Sequence, residues 1–198
     1  VTVIGGEIPE YAFENCTKLE TISLPDTVIH IGKKAIYNTA YYNDKSNWKL
    51  KRGSVDNGLS VNGKDETGST IAWEDILAPE LQYLYLGTAL IRCEFSETYN
   101  IKKGTTVIAD YAFNNSNDAK VIGLPDSLKG IGDYAFADCS KLGDVTISKN
   151  VKYVGKNAFH SKVMMIGYIG TPAEESAKEN GNQFYPLNYK GLYQIYGD

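Results

Sequence analysis

The stretch IGDYAFADCSKLGDVTISKNVKYVGKNAF, from Ile131 to Phe159, carries one phrase twice. A branched aliphatic and a glycine (Ile131-Gly132, Val154-Gly155) precede two variable residues and then Ala-Phe (Ala135-Phe136, Ala158-Phe159), and the copies stand 23 residues apart. Ile31-Gly32 with Ala35-Ile36 repeats the phrase upstream, and weaker copies end at Ala12-Phe13 and Ala112-Phe113. Self-similarity at a fixed period of roughly 20–50 residues marks a repeat architecture, in which a unit too small to fold alone buries its apolar face against its neighbours.

Aligned on Ala-Phe, the copies share an aliphatic eleven residues earlier: Val1, Leu24, Ile101, Leu124 and Ile147. Two residues before it stands Ile22, Tyr99, Ile122 or Val145, and three before that Leu19, Ala119 or Leu142. The first half of the unit therefore alternates with period two, which predicts a short strand. Pro25 and Pro125 end it, because proline has no N–H to extend a ladder, and Asp26 and Asp126 favour a turn. The second half carries the chain back along another wall. The fold class is a β-rich solenoid, a right-handed stack of 23-residue repeats. Phe13, Phe113, Phe136 and Phe159 are expected to stack in one buried ladder.

Leu19, Ile22 and Leu24 have the L-x-x-I-x-L spacing of the leucine-rich repeat. Joined to I-G-x-x-A-F-x-x-C, this resembles the BspA-like leucine-rich repeat family over residues 1–50 and 81–187. Pro9 and Ala109 depart from it at the glycine position, and Ile36 at the phenylalanine. The resemblance implies a secreted or cell-surface bacterial protein, of a kind associated with surface attachment and the binding of extracellular protein.

Between Ile36 and Phe113 lie 77 residues, 54 more than one repeat. LQYLYLGTALIRCEF (Leu81 to Phe95) predicts a β-hairpin turning at Gly87-Thr88 and adding a strand to the solenoid sheet. Residues 49–80 are polar and glycine-bearing. A structureless loop of that length is unusual in a compact domain, so a protruding hairpin is expected, with GLSV and STIAW as strands around Asn62-Gly63. After Phe159 a last strand is expected at Val163, Ile166 and Tyr168. A helix follows, with Thr171 as cap, Pro172 in the first turn, Glu174 closing a capping box and Gly181 at its end. NYKGLYQIYGD reads as a final strand or the start of a linker. One domain over 1–198 results: repeats at 1–48 and 96–170, an insertion at 49–95 and a cap at 171–198. The opening at Val1, in mid-pattern, reads as a fragment of a longer chain.

A net charge of −4 and a pI near 5.3 argue against nucleic acid as partner. No apolar run approaches the roughly 20 residues of a membrane-spanning helix. Cys16 and Cys139 both stand three residues after the repeat phenylalanine. At least three repeats separate them, roughly 14 Å at one strand spacing each, so they are expected to be unpaired and buried. His30 and His160 read as variable surface positions without a nucleophile or metal partner at useful spacing. The acidic pairs Asp65-Glu66, Glu74-Asp75 and Glu174-Glu175 do not alternate as a calcium loop does. No catalytic, metal-binding or cofactor-binding residue is predicted, and no cofactor.

Two surfaces are candidates for a partner. One is the base of the insertion, where Trp48, Lys51, Arg52 and Trp73 join aromatic and basic side chains. The other is the open strand face, where alternation places Thr21, Ser23, Val121, Gly123, Asp144, Thr146 and Met165. The expected function is a non-enzymatic protein-interaction or adhesion module, extracellular or at the cell surface, for an extracellular protein or glycan. The alternatives are a structural spacer within a larger surface protein, or a carbohydrate-active enzyme, which needs two convergent carboxylates.

Overall fold

The structure is a computed structural model that describes residues 5–51, 81–94, 97–114 and 116–188. The chain runs β1 (Glu7–Ile8), β2 (His30–Ile31), α1 (Ala40–Asn43), β3 (Trp48–Lys51), β4 (Leu81–Leu86), β5 (Ala89–Glu94), β6 (Glu97–Asn100) and β7 (Val107–Ile108). It continues through β8 (Ala119–Gly123), β9 (Gly130–Ile131), β10 (Val145–Thr146), β11 (Tyr153–Val154), β12 (Met164–Gly167), α2 (Pro172–Asn180) and β13 (Gln183–Pro186).

The 23-residue phrase is a turn of solenoid. One wall is a six-stranded sheet in the order β11-β9-β7-β5-β4-β3. Ile108 pairs with Ile131, and Ile131 with Val154, in parallel register one repeat apart. The other wall holds β6-β8 and β10-β12-β13, also parallel. Pro25 and Pro125 begin tight turns closed by Val28 N–H and Leu128 N–H to their carbonyls. The glycine of the phrase is a matter of room: a Cβ on Gly132 would overlap the backbone at Asp110, one turn away. The residue before each alanine (Tyr11, Lys34, Tyr111, Tyr134, Asn157) adopts left-handed backbone, with φ from 48 to 59°. Such a conformation is costly for a side chain of that size and is held only by surrounding contacts.

The hairpin β4–β5 turns at Gly87, φ +59°, and joins β7 through β5 as the sequence predicts. Its larger role is that of a two-sided wall. Leu90 and Cys93 enter the core that contains Phe113, Phe136 and Phe159, with Tyr83 and Tyr85 packed against it. Leu84 and Leu86 face the other way, onto Ile22 and Ile36, and Ala89 sits with Ile8, Val28 and Ile31. The first two turns thus rest on the far side of the hairpin, in a parallel β1-β2 sheet of their own.

This placement changes several expectations. Phe113, Phe136 and Phe159 stack in a buried ladder, but Phe13 is half-buried and packs in the separate clusters beyond the hairpin. Cys93 takes the rung below Phe113: its N–H donates to Ala112 O at 2.7 Å, as Phe113 N–H donates to Ala135 O at 2.9 Å. Leu19 to Leu24 forms only a bridge at Ser23 instead of a strand; where the next repeat strand is expected the chain turns into α1, and Tyr41 N–H donates to Leu19 O at 2.9 Å. Cys16 and Cys139 are both free, as is Cys93, but of the two only Cys139 is buried; Cys16 is exposed in the first turn. Its equivalent one turn on, Thr39, is buried.

At the other end, α2 covers the stack with Ala173 and Ala177. Gly181 ends the helix in left-handed backbone, φ 73°. The capping box does not close as expected. Thr171 Oγ1 donates to Tyr168 O, and Glu174 Oε2 accepts from Gly170 N–H at 2.7 Å. The last repeat strand is β12, and β13 adds one more before the tail; residues 189–198 lie outside the described residues.

Candidate functional site

Alternation in the strands decides which predicted surface residues face outward. Ile22, Val145 and Ile147 are buried, and Thr21, Ser23, Asp144 and Thr146 between them are exposed. Val121 on β8 is 53% exposed and pairs with Thr98. Thr146 pairs with Ile166, and Ile166 with Tyr185, which is 59% exposed. Met165 is the exception. It pairs with the inward Val145 and is fully buried, because the final turn is three residues shorter than the 23-residue register.

At the base of the insertion, β3 runs antiparallel to β4, with Trp48 opposite Leu84 and Lys51 opposite Leu81. Trp48 anchors this ladder. Its Nε1–H donates to Tyr42 O at 2.7 Å, and its ring meets Tyr42 edge-on at 5.3 Å. Tyr42 in turn meets Tyr37 at 5.2 Å. Arg52, Trp73 and the expected strands of 52–80 lie outside the described residues.

One cluster has no counterpart in the sequence reading. His30 is half-buried and lies 80 residues from its partner, against the expectation of a surface position. Its Nε2 lies 2.9 Å from Asp110 Oδ1. Asp110 also accepts from Lys33 N–H at 3.0 Å and from Asp133 N–H at 2.7 Å, with its side chain 1% exposed. Asp133 Oδ1 accepts from Lys156 N–H at 2.9 Å and from the Tyr153 hydroxyl at 2.7 Å. The Tyr153 ring lies 4.7 Å from that of His30. The hydrogen bond to Asp110 raises the His30 pKa above its ordinary value. Burial opposes this, and the negative charges of Asp110, Asp133 and Glu7 add to it. Burial, with Asp133 beside it, pushes the Tyr153 hydroxyl up as well.

Ligand atoms of His30, Asp110 and Asp133 lie within 4.8 Å of one another, a composition able to hold a metal. Here both carboxylates accept from backbone N–H groups, and the His30 imidazole lies against Asp110. The cluster works as a clasp joining the second turn to the third and fourth. Lys129 reinforces it, its Nζ donating to Asp26 O at 2.8 Å. Among the other thiols, burial pushes Cys139 up to about 12, which makes it a poor nucleophile.

Six copies of the BspA-type leucine-rich repeat match the chain at residues 5–47 and 88–174. The chain belongs to the BspA-type leucine-rich repeat family. The family match omits 48–87, where β3, the insertion and β4 stand. These segments lie outside the matched repeats of this chain. The solved structure of a leucine-rich cell surface protein from Faecalibacterium prausnitzii A2-165 aligns at 16% identity with a TM-score of 0.39. It is matched over 98% of this chain, and this chain spans 60% of that one. No curated protein matches the chain. BspA-type repeats point to a protein-interaction or structural role.

Proposed function

We propose that the chain is a non-enzymatic interaction module of a secreted or cell-surface protein, gripping an extracellular protein or glycan. The observation that carries this is the open strand face. Val121 stands exposed on β8 with Thr98 beside it, and Asp144, Thr146 and Tyr185 extend the exposed positions over β10 and β13. Backbone groups there are tied into ladders, so the side chains are free to vary without cost to the stack. Thr21 and Ser23 add exposed positions in the second turn, and Trp48, Lys51, Arg52 and Trp73 at the insertion supply selectivity. Repeat proteins concentrate binding on one such extended face.

The test is a titration of the 198-residue chain against matrix proteins, mucins and glycan panels, with Val121→Glu as face variant. Saturable binding at about 10 µM or tighter, weakened at least about tenfold by the variant, is the expected result. Absence of binding across the panels would sink the module reading and leave a structural spacer.

A further inference from the structure

Along the stack, a turn hands two backbone N–H groups to the turn that follows it. Tyr11 and Phe13 N–H donate to Lys33 O and Ala35 O at 3.0 and 2.8 Å. Tyr111 and Phe113 N–H donate to Asp133 O and Ala135 O at 3.0 and 2.9 Å, and Tyr134 and Phe136 N–H to Lys156 O and Ala158 O at 3.0 and 2.6 Å. In the last turn the first of these donors, Asn157 N–H, is met by Asn180 Oδ1 of α2 at 3.1 Å. The second turn breaks the series. Its two donors, Lys34 and Ile36 N–H, have no hydrogen-bond partner among the described residues. Ile36 is 1% exposed, and a buried donor is costly to leave without a partner.

The hairpin is the cause. Ala109 N–H donates to Leu90 O at 2.9 Å and Cys93 N–H to Ala112 O at 2.7 Å, so β5 stands where the third turn would otherwise meet the second. The forward edge of the second turn therefore opens on a bay of about 280 Å³. Lys34, Ile36 and Tyr37 line it from the second turn, Ile91 from β5, and Tyr111 and Asn114 from the third turn. Charge does not select its occupant. Lys34 is paired with Glu14 at 3.6 Å, and Asp110 is itself part of the lining. The two N–H groups do select one, because they require acceptors at the spacing of alternate residues. An extended chain presents its carbonyls in that way, residues i and i+2 on one edge. Ile36, Ile91 and the two tyrosine rings add apolar surface for one of its side chains. The volume lies at the small end of ligand sites, which suits a few residues of one chain and not a folded surface.

We propose that this bay takes a short extended peptide of a partner protein, added as a strand beside the second turn, with two of its carbonyls accepting from Lys34 and Ile36 N–H. Main-chain bonds of this kind give strand addition its affinity, and the pocket beside them chooses the side chain. The peptide runs parallel to the turn, as neighbouring repeats do elsewhere in the stack. This rests on the reading of the chain as an interaction module and gives it a site apart from the strand face.

The test selects binders of the 198-residue chain from a random heptapeptide library displayed on phage. The selected peptide, synthesised with blocked ends, is then added while amide exchange is followed by NMR. In the chain alone the Lys34 and Ile36 amides should exchange faster than those of Phe113 and Phe136, and bound peptide should slow both at least about tenfold. Asn114→Trp, which fills the bay, should weaken the peptide at least about tenfold with an unchanged melting curve. Val121→Glu should leave the affinity unchanged. Lys34 and Ile36 amides already as slow as that of Phe113 would show both donors bonded and overturn the assignment. A peptide that binds without slowing them, or a library that yields no binder lost in Asn114→Trp, would overturn it too. Chitotetraose that slows both amides where no peptide does would give the row to a saccharide instead. A protein partner lost in Val121→Glu but kept in Asn114→Trp, with no peptide response, would sink this inference and leave the module reading standing.

Discussion

The rings of Phe113 and Phe136 stack with centroids 4.4 Å apart and planes 19° from parallel, one repeat above the other. Phe159 continues the stack at 5.0 Å and 6°. Phe136 is fully buried between them, with Cys139, Leu142 and Ala135 in the same cluster. Removing the middle rung leaves a void bounded by rings that the parallel ladder holds in place, so little collapse can fill it. Phe136→Ala should cost about 3–5 kcal/mol in denaturant unfolding. A loss under about 1 kcal/mol would mean that the two flanking rings close over the gap.

His30 and Asp110 give the fold a pH dependence of definite sign. The His30 pKa is raised in the folded chain, first by its hydrogen bond to Asp110. A raised folded pKa contributes stability that is fully present below the unfolded value, about 6.5, and lost as pH rises through the folded value. His30→Gln should therefore cost most near about pH 5.5 and less near about pH 9. Urea midpoints of the two proteins at both pH values measure the difference. A gap of equal size at both would show that the clasp does not use the histidine charge.

Gly130 marks where the first turns rest on the stack. A Cβ there would overlap the Ile29 carbonyl oxygen. The equivalent residues in other turns, His30 and Tyr153, carry large side chains, so the repeat itself tolerates one. Gly130→Ala should cost about 1–3 kcal/mol by overpacking. Amide exchange should rise first over β1 and β2, ahead of β9 and β11. An alanine that changes neither stability nor exchange would show that this contact is not tight.

The repeats are legible in the sequence because each copy carries the same local instructions: an alternating strand, a proline turn, a glycine with no room for a side chain, and Ala-Phe. The strand-face residues follow from the same alternation. The docking of the first two turns is not local. His30 meets Asp110 across 80 residues and Lys129 meets Asp26 across 103, and no period connects them. Two signs of it do stand in the chain. Val107 is buried, whereas its equivalents in other turns, Glu7, His30 and Tyr153, are exposed or half-buried. In β4 Tyr83 and Tyr85 alternate with Leu84 and Leu86, so both faces of the strand are apolar, the pattern of a strand covered on both sides. Read as a leucine repeat spacing, that second sign gives the hairpin its strand but hides its wall.

The insertion leaves and returns through one ladder. Lys51 stands opposite Leu81, and Trp48 opposite Leu84, with Trp48 tied to the Tyr42 carbonyl beneath. The ends of the excursion are thus held one strand spacing apart by contacts that belong to the solenoid. Whatever lies between them adds closure entropy that grows only slowly with length, about 0.6 kcal/mol per doubling. Replacing Val55 to Ser69 with a short glycine linker should leave the melting transition nearly unchanged. Trp48→Ala should instead destabilise the chain, by about 3–5 kcal/mol if its half-buried ring behaves as a core aromatic. A deletion that unfolds the repeats would make the insertion part of the core. A deletion that folds but loses affinity for a partner of the strand face would place selectivity in the excised residues.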